Sequence, residues 1–599
     1  MPSSHRSRTC FALAALAGLA CSGTLFAQPY FFDVTQAKNL GLYRAIAGDG
    51  HGPGGVFTDL TGDGYPELYV INAQMSPSQP GANELYHNVP DGSGGRTFQK
   101  LVNHGAEVMQ RTTGAVAGDY DNDGDIDLYV INMNEPNVLL QSQWQQTGVL
   151  SFADVTAQTD PTPTNPPGDT QHGVGISFEQ TAQFGPVALD NSLSAAWSDV
   201  DRDGDLDLYV GNHNWWCGGN PLFSEGPFTK PGRPDVFYLN NGDGTFTDVT
   251  FTMGIYGFDD GSGGFETSLQ RYSSTNAVIF ADFDNDRWPD LLVTNKAECS
   301  TDRDMLYINR GMDAAGNWLG FSVETYNLGF GNKTSGAMGV DVGDPDNDGD
   351  LDIYITDTSS GPTGRNDLWL NTWNGTTLGF SHDDTIFPAI WSWGTQWADV
   401  DNDGFQDLHV ATNAGQVDFL YWNQPPSFPD IAAAVGTDQM KNARGDLTAD
   451  FDKDGWIDFF IANDRDGASV LYENRLDLIL PNHHHLAIEV EGRPHLARRL
   501  RSTKDAIGAR IEVAADLDGS GTVDPGETQI REIVSGSSNA ASTSSLAAEF
   551  GLRLATTAKV VVRWPSGLVT RLDAVAADQC LTIKEPKVME VQPIVKVHP

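Results

Sequence analysis

Positive charge is what this sequence has least of. Its 599 residues hold 36 Lys plus Arg against 80 Asp plus Glu, a formal net charge of −44. A phosphate backbone has to be met by positive charge, so nucleic acid is excluded as a partner. Cysteine is scarce as well: beyond Cys10 and Cys21 near the N-terminus there are only Cys217, Cys299 and Cys580. Three thiols cannot staple a disulfide framework, so stability has to come from elsewhere. Past the N-terminus no apolar run is long enough to span a bilayer as a helix. The chain also lacks a G-x-S-x-G elbow, a Walker motif, a dinucleotide fingerprint, a zincin motif and a CxxC pair. What it does have is 39% hydrophobic and 10% aromatic residues, enough for packed cores. The acid is therefore organised, either as a solvated surface or as ligands for cations.

Arg6 and Arg8, the apolar run "CFALAALAGLA" and the segment "TLFAQP" predict a secretory signal over residues 1–27, cleaved after Ala27. Lipidation at Cys21 is the competing reading, weakened by Gly18 where a lipobox wants Leu. The expected location is extracellular, or the periplasm or outer surface of a bacterium.

The acid recurs in a pattern. "DYDNDGDIDL" at Asp119 has relatives starting at Asp59, Asp199, Asp282, Asp344, Asp399 and Asp450, 51 to 83 residues apart. Periods of this size mark repeats that stack or close on themselves. Oxygen-bearing side chains stand at positions 1, 3, 5 and 9: Asp59, Thr61, Asp63 and Glu67; Asp119, Asp121, Asp123 and Asp127; Asp199, Asp201, Asp203 and Asp207. The series continues with Asp282, Asp284, Asp286 and Asp290; Asp344, Asp346, Asp348 and Asp352; Asp399, Asp401, Asp403 and Asp407; Asp450, Asp452, Asp454 and Asp458. Position 7 can add a backbone carbonyl, from Tyr65, Asp125, Asp205, Asp350, Phe405 or Trp456. Position 6 is Gly in every copy but the fourth, which has Arg287. Hard oxygens at alternate positions around a glycine turn are the logic of a calcium loop. About seven Ca2+ are expected, with weaker binding where Thr61 and Arg287 break the pattern. Magnesium fits less well, because it keeps its waters and demands a strict octahedron.

Each loop is flanked by β-rich runs. A run with small residues precedes it ("TTGAVAGD"), an alternating run follows ("DLYVIN"), then a third ("NELYHN", "DVFYLNN", "SVLYEN"). A fourth, resembling F-x-D-V-T, falls at Phe98, Phe152, Phe246, Phe321, Phe380 and Phe428. Four strands per repeat make a propeller blade. The seventh fourth strand is missing after "SVLYENR", but "YFFDVT" at Tyr30–Thr35 can supply it and remove the open edge. Phe32 and Val34 are expected on its packed side. The fold class is therefore all-β, a seven-bladed propeller over 28–478 followed by a smaller β domain.

These repeats resemble the FG-GAP/VCBS calcium-loop repeats of integrin-α-type propellers. From about 479 the period stops, and short strands follow over 479–588 with a tail at 589–599. Ile507-Gly508-Ala509-Arg510, Phe550-Gly551-Leu552 and Trp564-Pro565-Ser566-Gly567 resemble the ASPIC/UnbV domain of the cartilage acidic protein family, except that Glu549 stands where that family often has His. Within it, Asp516, Asp518, Ser520, Thr522, Asp524 and Glu527 fit an EF-hand-like loop at a hairpin tip, an eighth calcium site set against a plain acidic turn.

Cys217 and Cys299, nine or ten residues past the last Asp of consecutive loops, are expected to form a disulfide, leaving Cys580 unpaired. Trp215 and Trp216, in "GNHNWWCGGN", are candidates to stack on a sugar or another flat ligand. Trp391, Trp393 and Trp397 read as core. "HHH" at His483–His485 reads as solvated or packed rather than metal-binding, and "RGD" at Arg444–Asp446 falls inside a strand. Two functions stay open: a secreted, calcium-held recognition or adhesion protein for an extracellular glycan or protein, and an enzyme acting on polysaccharide on the same scaffold. A matrix or filament subunit is a third, since the tail "KVMEVQPIVKV" could add to a neighbour's sheet.

Overall fold

The computed structural model describes residues 29–40, 54–71, 81–133, 135–159, 191–213, 234–255, 274–296, 303–325, 327–329, 336–358, 366–383, 391–413, 415–425, 427–464, 468–495, 500–538, 541–587 and 594–598. Among them, seven antiparallel sheets follow one another through residues 55–474. In the second, Thr112–Gly118, Asp127–Asn132, Val138–Ser142 and Phe152–Asp154 lie in sequence order, and the others repeat that order. Burial falls from strand to strand. The first and second strands of this sheet are buried throughout, whereas the fourth buries only its leading Phe152. Small residues dominate the first strands ("TTGAVAG", "SLSAAWS") because these converge at the centre. Neighbouring first strands touch in a closed circuit, and Gly55–Thr58 meets Asn442–Ala449 to complete it.

The N-terminal strand closes the last sheet. Phe31–Asp33 pairs antiparallel with Val470–Asn474, Phe31 opposite Asn474 and Asp33 opposite Tyr472. Its packed residue is Phe31, 1% exposed and 5.5 Å from the Phe459 ring, not Phe32. The reason lies in the motif: Phe31, not Phe32, is the Phe of F-x-D-V, equivalent to Phe152 in "FADV". A second correction concerns Phe428. The sixth sheet has three strands, and its outer edge is reduced to the bridges Tyr421–Asp430 and Gln424–Ser427. The segment reads "QPPSFP", and prolines cannot donate to a ladder. Main-chain bonds from Trp422 to Pro429 and from Ile431 to Leu420 keep the segment alongside.

The C-terminal region forms two further four-stranded sheets. One orders Ala548–Arg553, His484–Glu491, Gln579–Lys584 and Ile594–His598; the other orders Thr528–Glu532, Arg510–Ala514, Thr557–Arg563 and Val569–Ala576. The tail strand pairs with Gln579–Lys584 of its own chain, so it is an edge of this sheet rather than a free strand for a neighbour. Phe550, Trp564, Val562 and Ile583 share one core with Trp197 and Phe246 of the repeat region.

A segment between these sheets enters the centre of the ring. Residues 533–538 and 541–546, rich in Ser, Ala and Thr, bond to the first strands of six sheets. The amides of Phe57, Ala115 and Trp197 donate to the carbonyls of Thr543, Ala541 and Ser535 at 2.9, 3.0 and 3.2 Å. Ser538 exchanges main-chain bonds with Val340, Ser538 Oγ accepts from Thr395, and Ser544 Oγ accepts from the Thr448 amide. Val534 packs against the fourth and fifth sheets. First-strand amides facing the axis have no strand on their inner side, and this plug satisfies them. Gly536 allows the approach: its φ is +100°, and a Cβ there would lie 2.5 Å from the Ala195 carbonyl oxygen.

Two outcomes follow. Deleting residues 28–40 removes Phe31 and Leu40, each worth about 1.5–3 kcal/mol of burial, and bares the edge of Val470–Asn474; calorimetry should show a lower and broader transition even with calcium present. Gly536→Ala should loosen the plug by roughly 1–3 kcal/mol of backbone strain, read as faster proteolysis of the C-terminal region while the repeat region stays resistant.

Candidate metal centres

Every acidic loop joins the first strand of a sheet to the second, and all share one geometry. In the second loop, Asp119 opens it by accepting the amides of Asp123 and Gly124 at 3.0 and 2.9 Å. Asp127 closes it, taking the Tyr120 amide with one oxygen and the Ser142 amide of the third strand with the other. The same pair of roles recurs at Asp199 and Asp207, Asp282 and Asp290, Asp399 and Asp407, and Asp450 and Asp458. Two residues take φ > 0 in each loop, at positions 4 and 6; in the second these are Asn122 at 59° and Gly124 at 99°. Arg287 holds position 6 at 74°, a conformation a long side chain seldom adopts.

The carboxylates converge. Asp119, Asp121 and Asp127 place one oxygen each within 4.8 Å of one another, as do Asp199, Asp201 and Asp203; Asp282, Asp284 and Asp290; Asp344, Asp346 and Asp348; and Asp399, Asp401 and Asp407. The donors are all hard oxygens, as calcium requires. Some of these oxygens are orphans. Asp352 Oδ2 and Asp452 Oδ1 are buried without a hydrogen-bond partner. For Asp352 the cause is visible: position 2 of its loop is Pro345, which has no amide to donate. Orphaned acceptors in a cage of carboxylates fit a cation. The side chains of Asp205 and Asp350, by contrast, accept from Asn122 and Asn285 of neighbouring loops. Asp125 takes the Gln145 amide.

Burial pushes many of these carboxyls above the ordinary carboxylate range, and neighbouring carboxylates add to it. Asp59 is pushed up to about 6, Asp399 to about 7 and Asp344 to about 8. The closing residues Glu67, Asp127, Asp207, Asp290, Asp352, Asp407 and Asp458 are raised further, for the same reasons.

Two asparagine series, without a signal in the spacing of the acids, bind the loops together. Asparagines in or just after the third strands of six sheets bridge two loops each: Asn240 donates to Leu206 O of its own loop and to Tyr120 O of the preceding one. Asn309, Asn371, Asn423 and Asn474 do the same, and Asn88 bonds to Pro66 O and, at 2.8 Å, to Phe451 O of the last loop. Asn88 thereby joins the first loop to the last, whereas the second sheet has Ser142 at this place and makes no such bridge among the described residues. At position 4, Asn122, Asn347 and Asn402 donate to the position-6 carbonyls of Gly204, Gly404 and Gly455 in the next loop.

The C-terminal region sits on this rim. Asp505, Glu532 and Glu549 accept the amides of Asp119, Asp282 and Asp450, the first residues of three loops. Glu549 thereby has a role. Gly551 N donates to Asp399 Oδ2, and His483 Nδ1 contacts Asp401 O at 2.6 Å. His484 Nδ1 lies 2.7 Å from one carboxylate oxygen of Asp578 and His485 Nδ1 3.6 Å from the other, while His485 also packs on Gly455. The Asp516–Glu527 segment lies at the tip of the Arg510–Ala514 and Thr528–Glu532 hairpin. It copies the loop geometry: Asp516 accepts the amides of Ser520 and Gly521, and Glu527 those of Asp518 and Asp524.

Arg444 and Asp446 are buried, so the RGD triplet is no exposed tip. Trp393 and Trp397 are core residues while Trp391 is 46% exposed. Cys580 is free and half-buried, 3.7 Å from Glu489 Oε1. Cys217, Cys299, Trp215 and Trp216 lie outside the described residues, as does Cys21.

Comparison with protein families matches residues 59–130, 282–355, 344–410 and 399–461 to the FG-GAP-like repeat, and residues 499–590 to ASPIC and UnbV. The curated proteins contain no match. Among solved structures, BBS1N in complex with ARL6DN is 10% identical, over 75% of this chain and 98% of that one, with a TM-score of 0.41. The exotype rhamnogalacturonan lyase YesX is 13% identical, over 75% and 76%, at 0.37. The polysaccharide lyase Uly1 is 11% identical, over 75% and 98%, at 0.36.

The raised carboxyls set a pH dependence. Their folded values lie above the ordinary 3.8, so the metal-free native state binds more protons than the unfolded chain. Stability of the chelated protein should therefore rise as pH falls from about 8 to about 5. Calcium needs the deprotonated ligands, so the melting-temperature gain on adding it should be larger at about pH 8 than at about pH 5.5. Thermal scans with and without chelator at both pH values check both signs.

Proposed function

From a chain built of FG-GAP-like repeats and a C-terminal ASPIC/UnbV domain, we propose a secreted, calcium-held recognition protein whose propeller binds an extracellular glycan or protein. The observation that carries the calcium reading is the repeated cage: trios of carboxylates within 4.8 Å of one another, each with at least one buried member. About seven ions would be held by the residues at positions 1, 3, 5 and 9, with an eighth at Asp516, Asp518, Ser520, Thr522, Asp524 and Glu527. Bound calcium would supply positive charge to oxygens that otherwise repel.

The reading of the ligand face comes from topology. The loop rim is covered by the C-terminal domain and the axis is filled by its plug. The strand ends that border the longest intervals in sequence, Asp154 and Ser192, Asn212 and Val236, and Asp248 and Thr275, lie at the other rim. Recognition belongs there, on a scaffold that calcium keeps rigid. No described helix is long and apolar enough to cross a membrane, and the predicted signal over 1–27 supports export.

Chelation should lower the melting temperature sharply, and calcium should restore it far better than magnesium. At ~100-fold saturation each independent site contributes roughly 2.7 kcal/mol. Equal melting curves with and without calcium would sink the calcium reading. A glycan array and an extracellular-protein array, each with and without chelator, test recognition; silence on both arrays in calcium would remove it.

A further inference from the structure

The position-6 residue of the fourth loop, Arg287, faces a cavity between the fourth and fifth loops and the C-terminal domain. At Gly204, Gly404 and Gly455 the C-terminal domain presses directly on the glycine, through Arg501, Leu517 and His485. At the fourth loop the two regions part instead, leaving about 440 Å3 lined by Arg287, Asn347, Asp348, Arg510, Glu512 and Arg563 among others. This is within the size range of small-ligand sites.

The lining is not self-satisfied. Arg510 is buried and committed to Glu532, at 3.1 and 2.8 Å, and to Asn285. Arg563 is held by Glu512. Arg287 makes one side-chain hydrogen bond, from Nη1 to Gly567 O at 3.0 Å, and has no carboxylate partner among the described residues. It keeps this position at a φ of +74°, where glycine would be unstrained. Asn347 is 4% exposed, spends its Nδ2 on Gly404 and Gly526, and leaves Oδ1 buried without a donor. The cavity thus offers a guanidinium with free donors beside the carboxylates of Asp348 and Glu512.

We propose that this cavity binds the carboxylate-bearing end of an acidic sugar, a uronic acid residue. The planar carboxylate matches the guanidinium fork of Arg287. The ring hydroxyls donate to the carboxylates of Asp348 and Glu512. A neutral sugar leaves Arg287 without a partner, and a phosphate dianion is repelled by Asp348 and Glu512 beside it. The proposal rests on the glycan reading above and narrows it to one class and one cavity, separate from the opposite rim.

The test uses the full chain in saturating calcium, titrated by calorimetry with oligogalacturonate, oligoglucuronate and a neutral glucan oligomer. Arg287→Gly gives the fourth loop the residue of the other six, so its melting temperature should hold or rise. Its affinity for the uronate should fall by at least about tenfold, the loss of a charge-assisted bidentate pair. Arg563→Met is the second variant, with a smaller loss expected and folding checked by the same melt. The glucan should not bind the wild type. If no uronate binds at about 10 mM, or Arg287→Gly binds as tightly as wild type, the cavity is not the site. Array binding to other glycans with Arg287→Gly unaffected overturns this proposal and leaves the glycan reading standing, whereas silence on all saccharides overturns both.

Discussion

Repulsion between buried carboxylates is the constraint on which this molecule is built. Three carboxylates are drawn together in one loop after another, the closing acid of each loop is fully buried, and desolvation drives that acid toward the neutral state. A dication resolves the conflict more completely than a proton, because it satisfies several oxygens at once. The loops in turn tie the strands: each closing acid reaches the third strand of its sheet, as Asp127 does at Ser142 N. Each third-strand asparagine then reaches the loop before it. Charge balance at the rim is thereby connected to the integrity of every sheet.

Much of this was legible from residue order, and the reasons are physical. Ligands of one loop lie within nine residues of each other, so their spacing alone displays the geometry, and Phe31–Asp33 repeats the F-x-D-V pattern of other edges. The asparagines were not legible in the same way. Asn240 and Asn122 act on the adjacent repeat, across 120 and 82 residues, and a terminal Asn on a strand resembles any turn residue. The plug was invisible for a different reason: "SGSSNAASTSS" has the composition of a linker, and only the unpaired inner edges of six sheets give it a place. The outer edge at Phe428 failed because prolines outweighed the motif.

The C-terminal domain is more than an appendage to the ring. It caps the first amides of three loops with Asp505, Glu532 and Glu549, rests on the glycines of three, and fills the axis. A domain placed this way reads the state of the loops directly, since any change in loop shape moves the surface it stands on. Where the contact is incomplete, at Arg287, a cavity remains.

The pairing of Phe31 with Asn474 also constrains how the chain comes to be folded. The N-terminal strand of the described residues has its partner some 440 residues later, and the plug that fills the axis comes later still. Neither can be placed until most of the chain is available, so the early sheets must persist as an open arc with exposed edges. Topology of such high sequence separation folds slowly and is exposed to aggregation. A calcium-rich environment met during emergence would let each loop lock as it appears, turning a single late closure into stepwise assembly.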